Sequence, residues 1–143
     1  MKFTATVLSL LAATASATQF RYDPRFDDSA SLPWNAISCS DGATGFKTKY
    51  GIQNTQQLRT HLQPNVHFGA GDAQWNTKNC GQCWLAKSVD GKKSAYFTLI
   101  DNAPGGIQGG TDLFKMFSKS GTTFEGVVEV HVYEQPRNKC WKN

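Results

Sequence analysis

Four cysteines, Cys39, Cys80, Cys83 and Cys140, restrict what this chain can fold into more than any other feature. All four follow an N-terminal stretch built like an export leader. Met1 and Lys2 precede an apolar run from Phe3 to Ala13, and Ala15-Ser16-Ala17 supplies the small-x-small pattern that signal peptidases accept. The expected leader is residues 1–17 and the expected domain residues 18–143. An even cysteine count in an oxidising compartment implies two disulfides, and the sequence alone leaves three pairings. A Cys80–Cys83 bond would make a redox CxxC, which needs a thiolate-stabilising helix start and leaves Cys39 to reach Cys140 across most of the chain. The preferred pairing is Cys39 with Cys80 and Cys83 with Cys140, each bond closing a loop of tens of residues.

Without the leader, 126 of the 143 residues remain, enough for one domain with a modest core. The leader's apolar run is too short to span a bilayer ~30 Å thick, and no later segment approaches ~20 apolar residues. The expected product is therefore secreted, monomeric and not membrane-anchored. Losing the leader removes Lys2 and takes the net charge from +4 to +3. Lys92-Lys93 and the Arg137, Lys139, Lys142 tail are scattered rather than gathered into a stripe, which argues against nucleic acid as a partner.

Gly and Pro punctuate short apolar stretches without repeats or low-complexity tracts, the pattern of a mainly β domain. Val128, Val130 and Val132 alternate with Glu129, His131 and Tyr133, so Gly126 to Glu134 reads as a strand with the valines on one buried face. Ala95 to Ile100 reads as a more buried strand. Trp84 to Val89 runs into Asp90-Gly91, a hairpin turn that pairs it with Tyr96 to Ile100. Two short helices are expected, Thr55 to Leu62 with Leu58 and Leu62 one turn apart, and Thr111 to Lys119 with Thr111 as its cap.

The most distinctive stretch is Trp75-Asn76 with Asn79-Cys80-Gly81-Gln82-Cys83-Trp84, preceded by Cys39-Ser40-Asp41-Gly42 and followed by Ile100-Asp101. Together with Tyr22-Asp23, Phe26-Asp27-Asp28, Ser31-Leu32 and Lys49-Tyr50-Gly51, these motifs resemble the cerato-platanin family of fungal secreted proteins, in order over nearly the whole domain. The resemblance implies a six-stranded double-psi β-barrel related to the first domain of expansins, with the preferred disulfide pairing. It further implies binding of chitin-type N-acetylglucosamine oligomers, an apoplastic or fungal-wall location and recognition by a plant surface receptor as a defence elicitor. The chain departs from the family pattern at Pro33-Trp34, which looks inserted, at Gln108, where the family has Asn, and at Trp141 beyond the last cysteine.

Asp101 is the leading candidate for a sugar contact. It follows an apolar strand and precedes Asn102-Ala103-Pro104-Gly105-Gly106, and by resemblance it is the carboxylate that lines a shallow groove. Its rival role is to cap a turn through its own backbone. Asp41 and Gly42 form a turn that could join it, Gln108 is placed by the family motif, and Trp75 and Tyr22 could stack on pyranose rings. Trp84, beside a disulfide, reads as core. Glycoside hydrolysis ordinarily uses two placed carboxylates ~5–10 Å apart; the sequence names Asp101, while Asp41 as its partner equally makes a turn and Asp23, Asp27, Asp28 and Asp112 are no better supported. His61, His67 and His131 share no metal-ligand spacing, and no cofactor is expected. The reading is a non-catalytic binder. Its rivals are an expansin-like or weakly endoglucanase-like protein with Asp101 as acid, and a surface-active coat protein of the fungal wall.

Overall fold

The computed structural model describes residues 17–143, so the expected leader lies, except for Ala17, outside the described residues. Its elements are β1 (Ala17–Tyr22), α1 (Phe46–Tyr50), α2 (Thr55–Arg59), β2 (His67–Gly71), β3 (Cys83–Ser88), β4 (Ser94–Asn102), β5 (Ile107–Gly109), α3 (Thr111–Phe117) and β6 (Val127–Gln135). Single 3₁₀ turns occupy Pro24–Phe26, Trp34–Ala36 and Arg137–Lys139. The six strands close into a barrel in the order β1, β5, β2, β4, β3, β6, the mainly β, double-psi architecture that the resemblance implies. Strands β1 and β5 run parallel, as do β2 and β4, and every other pairing is antiparallel.

The valine alternation of β6 is realised, and its ends show how the barrel is built. Val130 is fully buried at the centre of the strand, whereas Val128 and Val132 are half-buried toward the two mouths. Interior side chains of a small barrel fill it in the middle and open onto solvent at its ends. Phe20, Phe97, Leu99 and Phe114 complete the seal. Gly69 of β2 is required by this packing, because a Cβ there would fall 2.7 Å from the Phe97 ring. The Asp90-Gly91 turn forms as expected. Gly91 adopts φ +74°, Asp90 Oδ1 accepts from the Ser88 hydroxyl and the Lys92 amide, and Leu85 faces Tyr96 across the hairpin.

Both anticipated helices exist but are shorter, and the cap of one is different. In α2 the Asn54 side chain accepts from the Gln57 amide, and the Thr60 hydroxyl takes the Gln57 carbonyl, which ends the helix before Leu62. Thr111 does not cap α3. Gly110 holds that position without a side chain, and the Thr111 N–H donates instead to Asp27, 84 residues earlier in the chain. A third helix, α1, was not anticipated. Its Phe46 is buried against Trp141, and Gly51 at φ +64° ends it.

The disulfides are Cys39–Cys80 and Cys83–Cys140. The second anchors the C-terminal segment, where Trp141 stacks on Tyr50 at 5.6 Å, lies under the Arg137 guanidinium and donates its indole N–H to the Gly81 carbonyl at 2.8 Å. A second clamp is ionic. Asp28 bonds Arg59 of α2 at 2.9 Å and His67 of β2 at 3.1 Å, while Arg59 also covers the Phe68 ring.

Removing the Cys83–Cys140 bridge as a double Cys→Ser variant is expected to cost ~2–5 kcal/mol, a large share of a total stability of ~5–15 kcal/mol. Thermal melts of that variant and of the reduced wild type should lose cooperativity, and a non-reducing peptide map should return the two long-range pairs and no Cys80–Cys83 bridge. A pH dependence follows from Asp28. Burial alone would raise its pKa, but the hydrogen bond and charge of His67 together with Arg59 outweigh burial and hold it below the ordinary Asp value. Its contribution to stability is therefore complete above the ordinary value of ~3.9 and is lost as pH falls through the depressed one. Melting temperatures of wild type and Asp28→Asn should differ at pH 5 and converge in stronger acid.

Candidate functional site

A bulge in β4 decides where the candidate carboxylate points. Gly69 pairs with Leu99, but the next residue, Ala70, pairs with Asp101, so Ile100 is the extra residue on its strand. Unbroken alternation would send Leu99 and Asp101 to the same interior face. The bulge resets the alternation, and Asp101 turns outward while Asn102 joins Leu99 in lining the barrel mouth. The Ile100 carbonyl, released from the ladder, accepts the Cys39 amide at 3.2 Å.

Asp101 is held from three sides. Its Oδ1 accepts the backbone N–H of Ser38 at 2.8 Å and of Asn102 at 2.9 Å, and its Oδ2 faces Arg25 Nη2 at 3.9 Å. The turn-capping role has its geometric counterpart in Oδ1, which bonds backbone, while Oδ2 faces an exposed cation. Arg25 is itself fixed by Asp23, which accepts from its amide and its Nε at 2.9 Å. Gln108 of β5 stands beside Ala70, whose other neighbour is Asp101, so Gln108 and Asp101 share one face across three strands.

The segment after Ser38 links this carboxylate to the exposed tryptophan. The Ser38 hydroxyl donates to the Ala73 carbonyl, and the Cys39–Cys80 bond ties the segment to the loop between β2 and β3. Asp41 Oδ1 then accepts the Trp75 indole N–H at 2.7 Å, leaving the ring 59% exposed. Gly42 makes the approach possible: at φ +77°, with a Cβ that would fall 2.6 Å from Asn76 Oδ1, no other residue fits. Asp101, Asp41, Gly42 and Trp75 are therefore joined through residues 38–42.

Tyr22 is not part of this group. It packs on Phe114 of α3 at 5.2 Å, and strand alternation puts it on the opposite face of β1 from Arg21, the register partner of Gln108. Trp84 packs against the core as expected, but only in part. It shares the interior face with Ala86 but lies near the start of β3, so it is half-buried and lines a cleft of about 550 Å³ at the barrel mouth. An inward-pointing aromatic at the first turn of a barrel strand is the sequence sign that would have found it, once the strand's start was known. Two of the three histidines are engaged separately, His67 with Asp28 and His61 on the Tyr50 ring at 4.6 Å, and the buried His131 Nδ1 has no hydrogen-bond partner among the described residues.

Known proteins place this barrel. The chain is 34% identical over 93 residues to the heat-stable 19 kDa antigen of Coccidioides posadasii, covering 65% of this chain and 60% of the antigen. The chain thus spans about 60% of that relative's length. Cerato-platanin 3 of M. perniciosa superposes with a TM-score of 0.71 at 24% identity, covering 86% of this chain and 97% of the other, a likeness of fold. The solution structure of the fungal elicitor cerato-platanin gives 0.66 at 25% identity over 84% and 93% of the two chains. With residues 18–141 matching the family model for cerato-platanin, nearly all of the described barrel and both of its disulfides, the chain belongs to the cerato-platanin family.

Proposed function

We propose that this protein is a secreted, non-catalytic binder of cell-wall polysaccharide of the chitin type, which plants meet as a defence elicitor. The observation that carries the reading is the exposed Trp75 ring, fixed by Asp41 and joined to Asp101 through residues 38–42. An immobilised indole face buries the CH side of a pyranose without losing freedom on binding, and neighbouring carboxylates accept its hydroxyls. Binding without hydrolysis fits the way both carboxylates are used. Each is held as a fixed acceptor of N–H donors, Asp41 from Trp75 and Asp101 from Ser38 and Asn102. The elicitor role draws on the likeness to the fungal elicitor cerato-platanin and on secretion from the leader-like N-terminus.

The coat-protein reading also has an observation in its favour. Phe124 is 91% exposed, on a loop stiffened by bonds from Ser120 to Glu125, and Val89 is 60% exposed. Large apolar side chains presented to water suit an interface.

Calorimetric titration with N-acetylglucosamine hexamer tests the binding reading. Trp75→Ala should weaken affinity about tenfold or more, the scale of a lost aromatic contact. Asp101→Asn keeps an oxygen for the Ser38 and Asn102 amides but removes the charge, so affinity should fall with little change in melting temperature. Asp101→Ala removes both acceptor bonds and should also destabilise the fold, by about 1–3 kcal/mol. Reducing-end release from chitin or cellulose by the wild type would overturn the non-catalytic assignment. Phe124→Ser should delay film formation at an air–water interface while leaving hexamer affinity unchanged.

A further inference from the structure

The cleft at the Trp84 mouth of the barrel has its own chemistry. One wall is a directed chain of hydrogen bonds: Trp84 Nε1–H donates to Gln82 Oε1 at 3.2 Å, Gln82 Nε2 to Asn79 Oδ1 at 3.0 Å, and Asn79 Nδ2 to the Asp72 carbonyl at 2.7 Å. Each group orients the next, so the indole is fixed at the mouth before any ligand arrives. The chain does not exhaust the amides, since every Asn or Gln side chain has two donors and an acceptor with two lone pairs. Asn102, delivered by the β4 bulge, adds a further amide, and Leu99, Ile107 and Val132 make an apolar floor. The opposite rim is the Pro104-Gly105-Gly106 turn. Gly106, at φ +156° with a Cβ that would fall 2.8 Å from the Gln19 carbonyl, leaves bare backbone facing the cleft.

Among the residues lining this cleft, Asp72 alone carries a charge. A phosphate, sulfate or uronate would find no cation there and would meet a carboxylate instead. A wholly apolar ligand would cover the amides without pairing them, at the cost of their desolvation. A polyol with an apolar ring face satisfies both surfaces, its hydroxyls on the amides and its CH groups on Trp84. The volume of about 550 Å³ lies within the ~300–1,000 Å³ of small-ligand sites. We infer that the Trp84 cleft is a second glycan subsite, selective for uncharged sugars and separate from the Trp75 surface. It rests on the reading of the protein as a glycan binder.

The four tryptophans supply the experiment, because each indole N–H has a different fixed acceptor: Ile52 O for Trp34, Asp41 for Trp75, Gln82 for Trp84 and Gly81 O for Trp141. Their four ¹⁵N–¹H resonances, assigned with single Trp→Phe variants, are followed while N-acetylglucosamine hexamer, cellohexaose or an oligogalacturonide is titrated into the full domain. The neutral oligomers should shift the Trp84 resonance saturably, the anionic one should not, and Trp34 and Trp141 should stay in place. Gln82→Ala, which frees the indole without altering the floor, should weaken the Trp84 response about fivefold. A Trp75 shift with Trp84 unmoved overturns the subsite and leaves the proposed function standing. A Trp84 shift with Trp75 unmoved supports the subsite and removes Trp75 from the reading above. If neither moves, both fail, and an equal response to oligogalacturonide overturns the preference for uncharged sugars.

Discussion

The hydrogen bond from the Cys39 amide to the Ile100 carbonyl is the contact on which both faces of the site depend. It exists because the β4 bulge frees that carbonyl, and the Cys39–Cys80 bond holds the donor in place. With the bulge, adjacent residues of one strand serve opposite surfaces, Asp101 toward Ser38 and Arg25 and Asn102 toward the Trp84 cleft. Without it, the period of two would put Asp101 against Leu99 in the interior, where a carboxylate is costly. The cross-link and the bulge therefore act as one device. The first fixes a loop that has little core of its own, and the second aims a polar side chain out of an apolar strand.

How much of this was legible depended on how local the cause was. The β6 strand and the Asp90-Gly91 hairpin follow from alternation and a turn dipeptide, so their signals lie within ten residues. Strand β5 has three residues inside a glycine-rich stretch and owes its existence to β1 and β2, which flank it, so nothing in its own sequence announces a strand. The α3 cap failed for the same reason, because its acceptor is Asp27 and not a neighbour. At the site, Asp41, Gly42 and Trp75 could be grouped from motif order, since a disulfide brings their segments together. Tyr22 could not be sorted from them without the face that β1 turns toward α3. Trp84 packs on the core as read, but its place at the cleft was hidden because proximity in sequence to Cys83 suggested packing on the disulfide, while alternation sends the two side chains to opposite faces.

The acidic run near the N-terminus shows how the charged residues are distributed between structure and site. Asp23 orders Arg25 so that its guanidinium faces Asp101. Asp27 closes α3, and Asp28 joins α2 to β2 through Arg59 and His67. Three carboxylates of one short segment thus reach the site, the start of α3 and the clamp over Phe68. Each of these carboxylates has an N–H or cationic partner in the folded chain, and Asp41 and Asp101 have theirs as well.

That distribution bears on the choice between cutting a polysaccharide and holding it. Hydrolysis would call for one carboxyl that keeps its proton and another free to attack or to activate water. Asp23, Asp27, Asp28, Asp41 and Asp101 are all engaged as hydrogen-bond acceptors. Such a network stiffens the surface instead. A stiff surface loses little freedom when a ligand settles on it, which is what the proposed binding role would use. The same pre-ordering recurs in the neutral amides around Trp84, built from different residues on the other flank of the same loop. Under the proposed function, two surfaces ordered in advance, one flanked by carboxylates and one lined by amides, would each hold a sugar with little loss of freedom.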